Sequence, residues 1–189
     1  MDAYGHLRVL ISLIIGLAIT RLLSGLSRRL QEPVQTDWMH AQVVWSVVVL
    51  LNAVHFWWWE FSLRFITDWN FWLYVFILSY ASLFFLMSTL LFPDNVQERA
   101  ESEAFFIRRR QVFFSIFAAS FAFDLVDTLI KGVQHFQSLG VWYVARLAGG
   151  ATIALIAMRV RSSRKLTWLG VLWLCVNIVW ITALYSELL

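Results

Sequence analysis

The sequence predicts an all-α, polytopic membrane protein with six transmembrane helices. Hydrophobic residues make up 60% of the 189 residues and charged residues 14%, whereas soluble domains are about 45 to 50% apolar and about 25% charged. Six apolar stretches each approach the roughly 20 residues that cross a bilayer core. Basic residues concentrate in alternate connections between them, as the positive-inside rule requires. The whole chain, residues 1–189, is expected to form a single transmembrane domain.

The first three spans are separated by charged residues or proline. Span one is predicted at 7–27 and ends where two arginines follow. It continues past signal-peptide length without a cleavage pattern, so it is expected to be retained. Span two is predicted at 39–59 and is followed by a glutamate, Glu60. Span three, 71–92, has no charged residue and ends before Pro93, which cannot continue a helix.

The last three spans include two that carry charged side chains. Span four is predicted at 112–130, after three consecutive arginines, and contains two aspartates. Span five, 141–158, contains one arginine, and span six, 166–185, contains no charge. A cytoplasmic juxtamembrane helix is predicted over 94–110, because its acidic residues come first and its arginines last, as the helix dipole favours.

The distribution of lysine and arginine predicts the orientation. Ten of the fifteen basic residues fall in the connections after spans one, three and five, and three fall on the opposite side. Under the positive-inside rule the chain is expected in a cell inner membrane with both termini extracytoplasmic. The ten residues are Arg28, Arg29, Arg99, Arg108, Arg109, Arg110, Arg159, Arg161, Arg164 and Lys165.

Aromatic side chains are expected to form a belt at the outer interface, where their apolar bodies lie in lipid and their polar atoms stay wet. The belt residues are Trp57, Trp58, Trp59, Trp69, Trp72, Trp142, Tyr143 and Tyr185. The consecutive tryptophans cannot form one stacking platform, because neighbouring helical residues point about 100° apart.

Ionisable residues inside the spans predict a polar site. Each costs about 2.5 to 3.5 kcal/mol at a span centre, so each is expected to face protein or water. Asp124, Asp127 and Lys131 follow one another at spacings of three and four, so they share one helical face. Arg146 lies at nearly the depth of Asp124, and a pair between them is expected.

The outer end of span two adds Asn52, His55 and Glu60, which predicts an outward-opening polar pocket. Two interpretations of this pocket stay open. In the first, Asp124 and Arg146 neutralise each other and fix how two helices pack. In the second, the two aspartates disfavour simultaneous ionisation, and the site trades a proton or binds a cation.

Arg21 lies about 10 Å from the inner end of span one, without an acidic residue at its depth. It is interpreted as an inner-side anchor whose stem reaches the cytoplasmic headgroups, or as a gate. Small residues recur every fourth position on the same span, at Ser12, Gly16, Thr20 and Ser24. Such a ridge allows close helix packing and supports a homo-oligomer.

A three-plus-three inverted repeat is a further hypothesis. A shift of 103 residues places span one on span four, and Arg21 then falls on Asp124. Three spans per half would give the halves opposite orientations, as in many transporters that bind substrate between their halves. Chance similarity between leucine-rich helices is the competing explanation.

Motifs of soluble enzymes are absent from the sequence, and no catalytic residue is proposed. The single cysteine and the scattered histidines support neither a metal site nor a haem, so no cofactor is expected. The favoured function is a channel or transporter for an ion or small solute; the alternative is a non-catalytic accessory subunit that docks a partner protein. Expected partners are the lipid bilayer, the transported species and a second copy of the chain, but no nucleic acid.

Overall fold

The computed structural model describes residues 3–31, 41–92 and 102–186, and every regular element in these ranges is a helix. Six of the helices are long and apolar enough to span a membrane, which confirms the predicted fold class and is consistent with a multi-pass membrane protein. The elements are α1 (Ala3–Gln31), α2 (Ala41–Trp59), a 3₁₀ helix (Glu60–Phe65), α3 (Phe71–Leu91), α4 (Ser102–Ile130), α5 (Val133–Ser138), α6 (Gly140–Arg159) and α7 (Ser163–Ser186).

The ends of the helices follow local sequence signals. α3 begins after Asn70, whose side chain accepts a hydrogen bond from the Leu73 amide at 2.9 Å, as an N-cap does. It ends at Leu91, and Phe92 is extended because a proline follows. α4 ends before Gly132, whose φ of +117° suits glycine far better than other residues.

Two helices extend beyond the predicted spans. α1 and α4 are each 29 residues long, because the polar residues that flank their apolar stretches are also good helix formers. Residues 102–110 of the predicted juxtamembrane helix are helical and continuous with α4, while residues 94–101 lie outside the described ranges. One uninterrupted helix therefore leads from the arginine cluster to the two aspartates.

The six long helices form a closed ring in which each helix contacts the next. The order around the ring is α1, α3, α4, α6, α7, α2 and back to α1. α2 also contacts α3 and α4, so it is the most central helix. The start of α1 and the end of α7 lie at the same end of the bundle as Trp59: Tyr4 is 6.5 Å from Trp69 and Tyr185 is 6.2 Å from Trp58, measured between ring centroids. This end is called the Trp59 end, and the opposite one the Phe92 end.

Glycines permit three close contacts between helices. Gly25 of α1 lies under the Phe92 ring, Gly150 of α6 lies under the Phe121 ring, and Gly170 of α7 lies against Val44. A Cβ atom at any of these glycines would come within 3 Å of the neighbouring side chain. The contact at Gly150 is the one that sets the distance between the two helices carrying the predicted ion pair.

At the Phe92 end, polar side chains from α1 and α2 hold the end of α3. The buried Gln42 amide donates to the carbonyl of Leu91, and Arg29 donates to Gln42 Oε1 at 2.9 Å. The last carbonyls of a helix have no partner within it, so this contact satisfies one of them. Three helices are thereby joined at this end.

Two sequence hypotheses stay predictions. The residues of the ridge from Ser12 to Ser24 are exposed on α1, although Ser12 Oγ accepts a hydrogen bond from Trp57 Nε1 of α2 at 3.2 Å. A three-plus-three repeat would make α1, α2 and α3 equivalent to α4, α6 and α7. In the first half the most extensive packing is between α1 and α3, whereas in the second half it is between α4 and α6. The halves are therefore packed differently, and neither the inverted repeat nor the homo-oligomer follows from the fold.

Candidate functional site

A buried ion pair joins α4 to α6. Arg146 Nη1 donates to Asp124 Oδ2 at 2.9 Å, and the side chains are 8% and 12% exposed, respectively. The expected pair is therefore present. Since Gly150 lies one turn beyond Arg146 and allows α6 to approach the Phe121 ring of α4, the close packing and the ion pair occur at the same crossing.

Arg146 has further partners on α7. Its Nη2 donates to Asn177 Oδ1 at 3.5 Å, and its guanidinium carbon lies 5.8 Å from the centre of the Trp180 ring. Asn177 is held by its own amide, which donates to the Trp173 carbonyl at 3.0 Å. Asn177 is fully buried. It was not predicted as a site residue, although it is the only amide side chain in the predicted span 166–185.

Tyr143 was wrongly assigned to the interfacial aromatic belt. It is 1% exposed, and its hydroxyl donates to the Asp124 carbonyl at 3.0 Å. The Thr128 hydroxyl lies 2.7 Å from the Tyr143 hydroxyl. Because Tyr143 uses its proton in the bond to Asp124, Thr128 donates and the Tyr143 oxygen accepts in this second bond. The spacing contained a signal, because Tyr143 and Arg146 are three residues apart and therefore share a face of α6.

A small polar cavity adjoins the ion pair. It leaves about 20 Å³ for the centres of water molecules, and since one water needs about 10 to 15 Å³ by this measure, one or two waters fit. Its polar wall includes Asn52, His55 and Ser120. The complete lining is Asn52, His55, Phe56, Trp59, Tyr80, Phe84, Ser120, Phe121, Asp124 and Arg146.

Four polar atoms of the cavity-lining residues are buried without a hydrogen-bond partner among the described residues. They are Asn52 Oδ1, His55 Nε2, Trp59 Nε1 and Arg146 Nε. An unpaired buried polar atom costs about 1 to 3 kcal/mol, so such atoms normally bind water or a ligand. The cavity is therefore suited to a hydrated polar site.

A second charged cluster lies nearer the Trp59 end. Lys131 forms salt bridges with Asp127, one helical turn earlier on α4, and with Glu60 Oε1 at 3.3 Å. Its ammonium also lies 3.4 Å from the Trp59 carbonyl and 5.2 Å from the centre of that indole ring. The side chain of Lys131 is only 2% exposed and is enclosed by its partners.

The predicted pocket is thus divided into two groups. Asn52, His55, Asp124 and Arg146 surround the cavity, whereas Glu60, Asp127 and Lys131 form the separate cluster. Trp59 takes part in both, because it lines the cavity and contacts Lys131. Three carboxylates and two cations make up the two groups, so one negative charge is left over when all are ionised.

His135 of α5 lies over the cluster, with its ring 5.2 Å from the Trp59 ring. Burial lowers the pKa of His135 from its ordinary value of 6.5, and nearby Lys131 lowers it further. Neutral His135 is therefore the form that suits the folded state.

Aromatic side chains close the cavity toward the Phe92 end. Phe121 in the cavity wall lies 5.4 Å from Trp173 and 5.0 Å from Phe117, between ring centroids. Phe117 lies 5.2 Å from Trp45, whose indole donates to the Leu166 carbonyl at 3.0 Å. All four rings are at most 7% exposed. These four rings therefore form an aromatic layer between the cavity and the Phe92 end.

Arg21 lies away from both groups, at the Phe92 end. Its Nη2 donates to the carbonyl of Phe92 at 3.3 Å, where a cation complements the helix dipole. Arg21 thus ties α1 to the end of α3. Its interpretation as an anchor in the cytoplasmic headgroups or as a gate stays a prediction.

Within the described residues, no group of three or more His, Cys, Asp or Glu side chains is placed to hold a metal ion. Comparison of the chain with protein-family models, with curated proteins and with solved structures finds no match. The site offers a water-sized polar cavity, one neutral ion pair and a cluster with an unbalanced carboxylate.

Proposed function

We propose that this chain is a multi-pass membrane transporter that carries a proton or another small monovalent cation through the cavity beside Asp124 and Arg146. The observation that supports the proposal most directly is the presence of four unpartnered polar atoms on residues that line a cavity of water size. Ionisable residues at membrane depth commonly mark ion pathways and proton relays.

The size of the cavity limits the transported species. About 20 Å³ accommodates one or two waters or an ion stripped of most of its hydration shell. Sugars, amino acids and other organic solutes are much larger. The broader expectation of an ion or small solute is thereby narrowed to an inorganic ion or a proton, and the unbalanced carboxylate favours a cation.

The aromatic layer favours a carrier over an open channel. Phe121, Trp173, Phe117 and Trp45 lie across the direction in which an ion would leave the cavity. An ion that binds here crosses only when these rings separate, and such a step is typical of alternating access. The positive-inside rule places the Trp59 end outside in a cell inner membrane, so uptake would occur from the extracytoplasmic side.

The test is cation flux into liposomes that contain the purified protein, with a pH-sensitive dye for protons and ion-selective electrodes for Na⁺ and K⁺. Asn52→Leu places apolar atoms in the cavity and leaves the Asp124–Arg146 pair intact. We expect its flux to fall to that of protein-free liposomes. The matched control is Val54→Leu, on the same helix but 49% exposed, which should transport normally.

Asp124→Asn serves as a second variant in the same assay, since it removes the charge that neutralises Arg146. Loss of flux in a protein that is still folded supports transport. Absence of protein-dependent flux of any cation in the wild type, under an imposed gradient and membrane potential, would overturn the proposal.

A non-catalytic accessory subunit is the second candidate, and the closed aromatic layer favours it. In that function the Asp124–Arg146 pair only fixes the crossing of α4 and α6. Absence of protein-dependent flux in the wild type, together with lower thermal stability of Asp124→Asn, would support this candidate over transport.

A further inference from the structure

We propose that Glu60 is a proton-binding site, which holds one exchangeable proton at neutral pH beside the Asp127–Lys131 ion pair. The inference deepens the proposed function. The use of this proton in transport rests on that function, whereas the presence of the proton on Glu60 does not. The ligand is the proton itself, taken from water at the Trp59 end of the bundle onto a carboxylate oxygen and returned to water on release.

The first support is the sharing of one cation by two carboxylates. Lys131 contacts both Asp127 and Glu60, and the contact with Asp127 is the closer of the two. Asp127 is fully buried and Glu60 is 4% exposed. One ammonium neutralises one carboxylate, and a second unprotonated carboxylate in a dry environment is costly unless it has its own partner.

The second support is oxygen atoms without a partner. Glu60 Oε2 and Asp127 Oδ1 are both buried and accept no hydrogen bond from the described residues, whereas a buried ionised carboxylate is normally satisfied at both oxygens. Because Asp127 has the closer contact with Lys131, Glu60 is the carboxylate left to bind the proton. Protonation removes the charge that would otherwise need neutralising. It leaves a neutral carboxyl group that still accepts from Lys131 through Oε1.

The surrounding charges do not supply the missing cation. On α4, Asp124 is already paired with Arg146. On α1, Arg8 borders the same small cavity as Glu60 but forms no salt bridge with it among the described residues; its guanidinium carbon lies 4.8 Å from the Phe61 ring and 5.9 Å from the Trp57 ring. The titratable groups nearby on α2 and α5 are His55 and His135, and burial keeps His135 neutral.

Glu60 also has a route to solvent. It lines a second cavity of about 10 Å³, between α1 and the 3₁₀ helix, which is close to the space that one water needs. The other lining residues are Tyr4, Arg8, Ile11, Trp57 and Phe61. On its opposite side Glu60 meets Lys131, which contacts Trp59 in the wall of the larger cavity. Glu60 thus lies between an access cavity and the candidate transport site.

Infrared spectroscopy of the full-length protein in liposomes tests the assignment. At neutral pH we expect the carbonyl stretching band of a protonated carboxyl group, with the shift on exchange into D₂O that marks an exchangeable proton. The band should disappear in Glu60→Gln. The matched control is Asp68→Asn, an exposed acid in the same connection, which should keep it.

Asp127→Asn gives a second, independent readout. With Asp127 neutral, Lys131 retains Glu60 alone as its counter-ion, so Glu60 should ionise and the band should again be lost. A wild-type protein without the band, a band unchanged in Glu60→Gln, or one lost only in Asp124→Asn would overturn the inference. Since the spectrum is recorded without a gradient, its outcome does not depend on whether the protein transports ions.

Discussion

The Phe121 ring lies against Gly150 so closely that a methyl group on Gly150 would come within 2.2 Å of the ring's Cζ atom. This contact brings α4 and α6 together one turn from the Asp124–Arg146 pair. A larger residue at position 150 must move Phe121, which also lines the cavity, or push the two helices apart. The glycine is therefore required by the geometry of the candidate site.

We expect Gly150→Ala to lower the free energy of unfolding by about 1 to 3 kcal/mol, the usual cost of overpacking a well-packed interior. Thermal unfolding in detergent, followed by circular dichroism, measures the effect. Gly149→Ala is the matched control, because nothing lies within 4 Å of its added methyl group. It should be neutral or stabilising by up to about 1 kcal/mol, since alanine favours helix. Equal effects of the two substitutions would contradict the contact.

Breaking the Asp124–Arg146 pair from one side should be more harmful than removing it altogether. We expect Asp124→Asn or Arg146→Met alone to cost about 3 to 5 kcal/mol, because each leaves a buried charge uncompensated. The double variant should recover most of that loss. A double-mutant cycle on unfolding in detergent gives the coupling energy. Additive effects of the two single substitutions would show that the pair is not coupled in the folded protein.

The Phe92 end provides a prediction about helix capping. Gln42→Leu keeps a similar volume but removes the amide that donates to the Leu91 carbonyl. The carbonyl is then left without this donor, so we expect a loss of about 1 to 3 kcal/mol in the free energy of unfolding. Arg28→Gln is a suitable control, because Arg28 is exposed near the end of α1. Wild-type stability of Gln42→Leu would mean that the contact does not hold α3.

The lowered pKa of His135 predicts a pH dependence of stability. The unfolded chain binds a proton near pH 6.5, whereas the folded state resists protonation of His135. The unfolded state therefore holds more protons below that pH, and stability should decrease as the pH falls from about 6.5. Because His135 is partly exposed, the decrease should be modest.

Unfolding transitions measured between pH 7 and pH 5 test this dependence. His135→Gln should reduce the slope, while His6→Gln, at an exposed position of α1, should leave it unchanged. An identical slope in wild type and His135→Gln would exclude His135 as its cause.

Much of the fold could be predicted because it depends on the length and composition of single stretches. Phe71–Leu91 is bounded by an N-cap asparagine and a proline, so both ends are visible in the sequence. The Asp124–Arg146 pair could be predicted because depth along a span follows from counting residues. Neither inference requires knowledge of which helices are neighbours.

The features of the site that could not be predicted depend on how the helices are rotated and which helices are neighbours. Tyr143 was placed in the belt because its position near a span end is compatible with that role, and only the packing of α6 on α4 shows that it is buried. Asn177 was missed because nothing in the sequence says that α7 faces Arg146. The division of the polar residues into two groups likewise depends on where the Trp59 side chain lies.

The Asp124–Arg146 contact has a consequence for biosynthesis. The helix that carries the two aspartates emerges from the ribosome before the arginine that neutralises one of them, and each carboxylate alone opposes partitioning into lipid by about 2.5 to 3.5 kcal/mol. Only 22 residues separate the partners, so both helices can leave the translocon together as a hairpin with its charges already matched. A chain cut after α4 would lack that partner and should insert poorly.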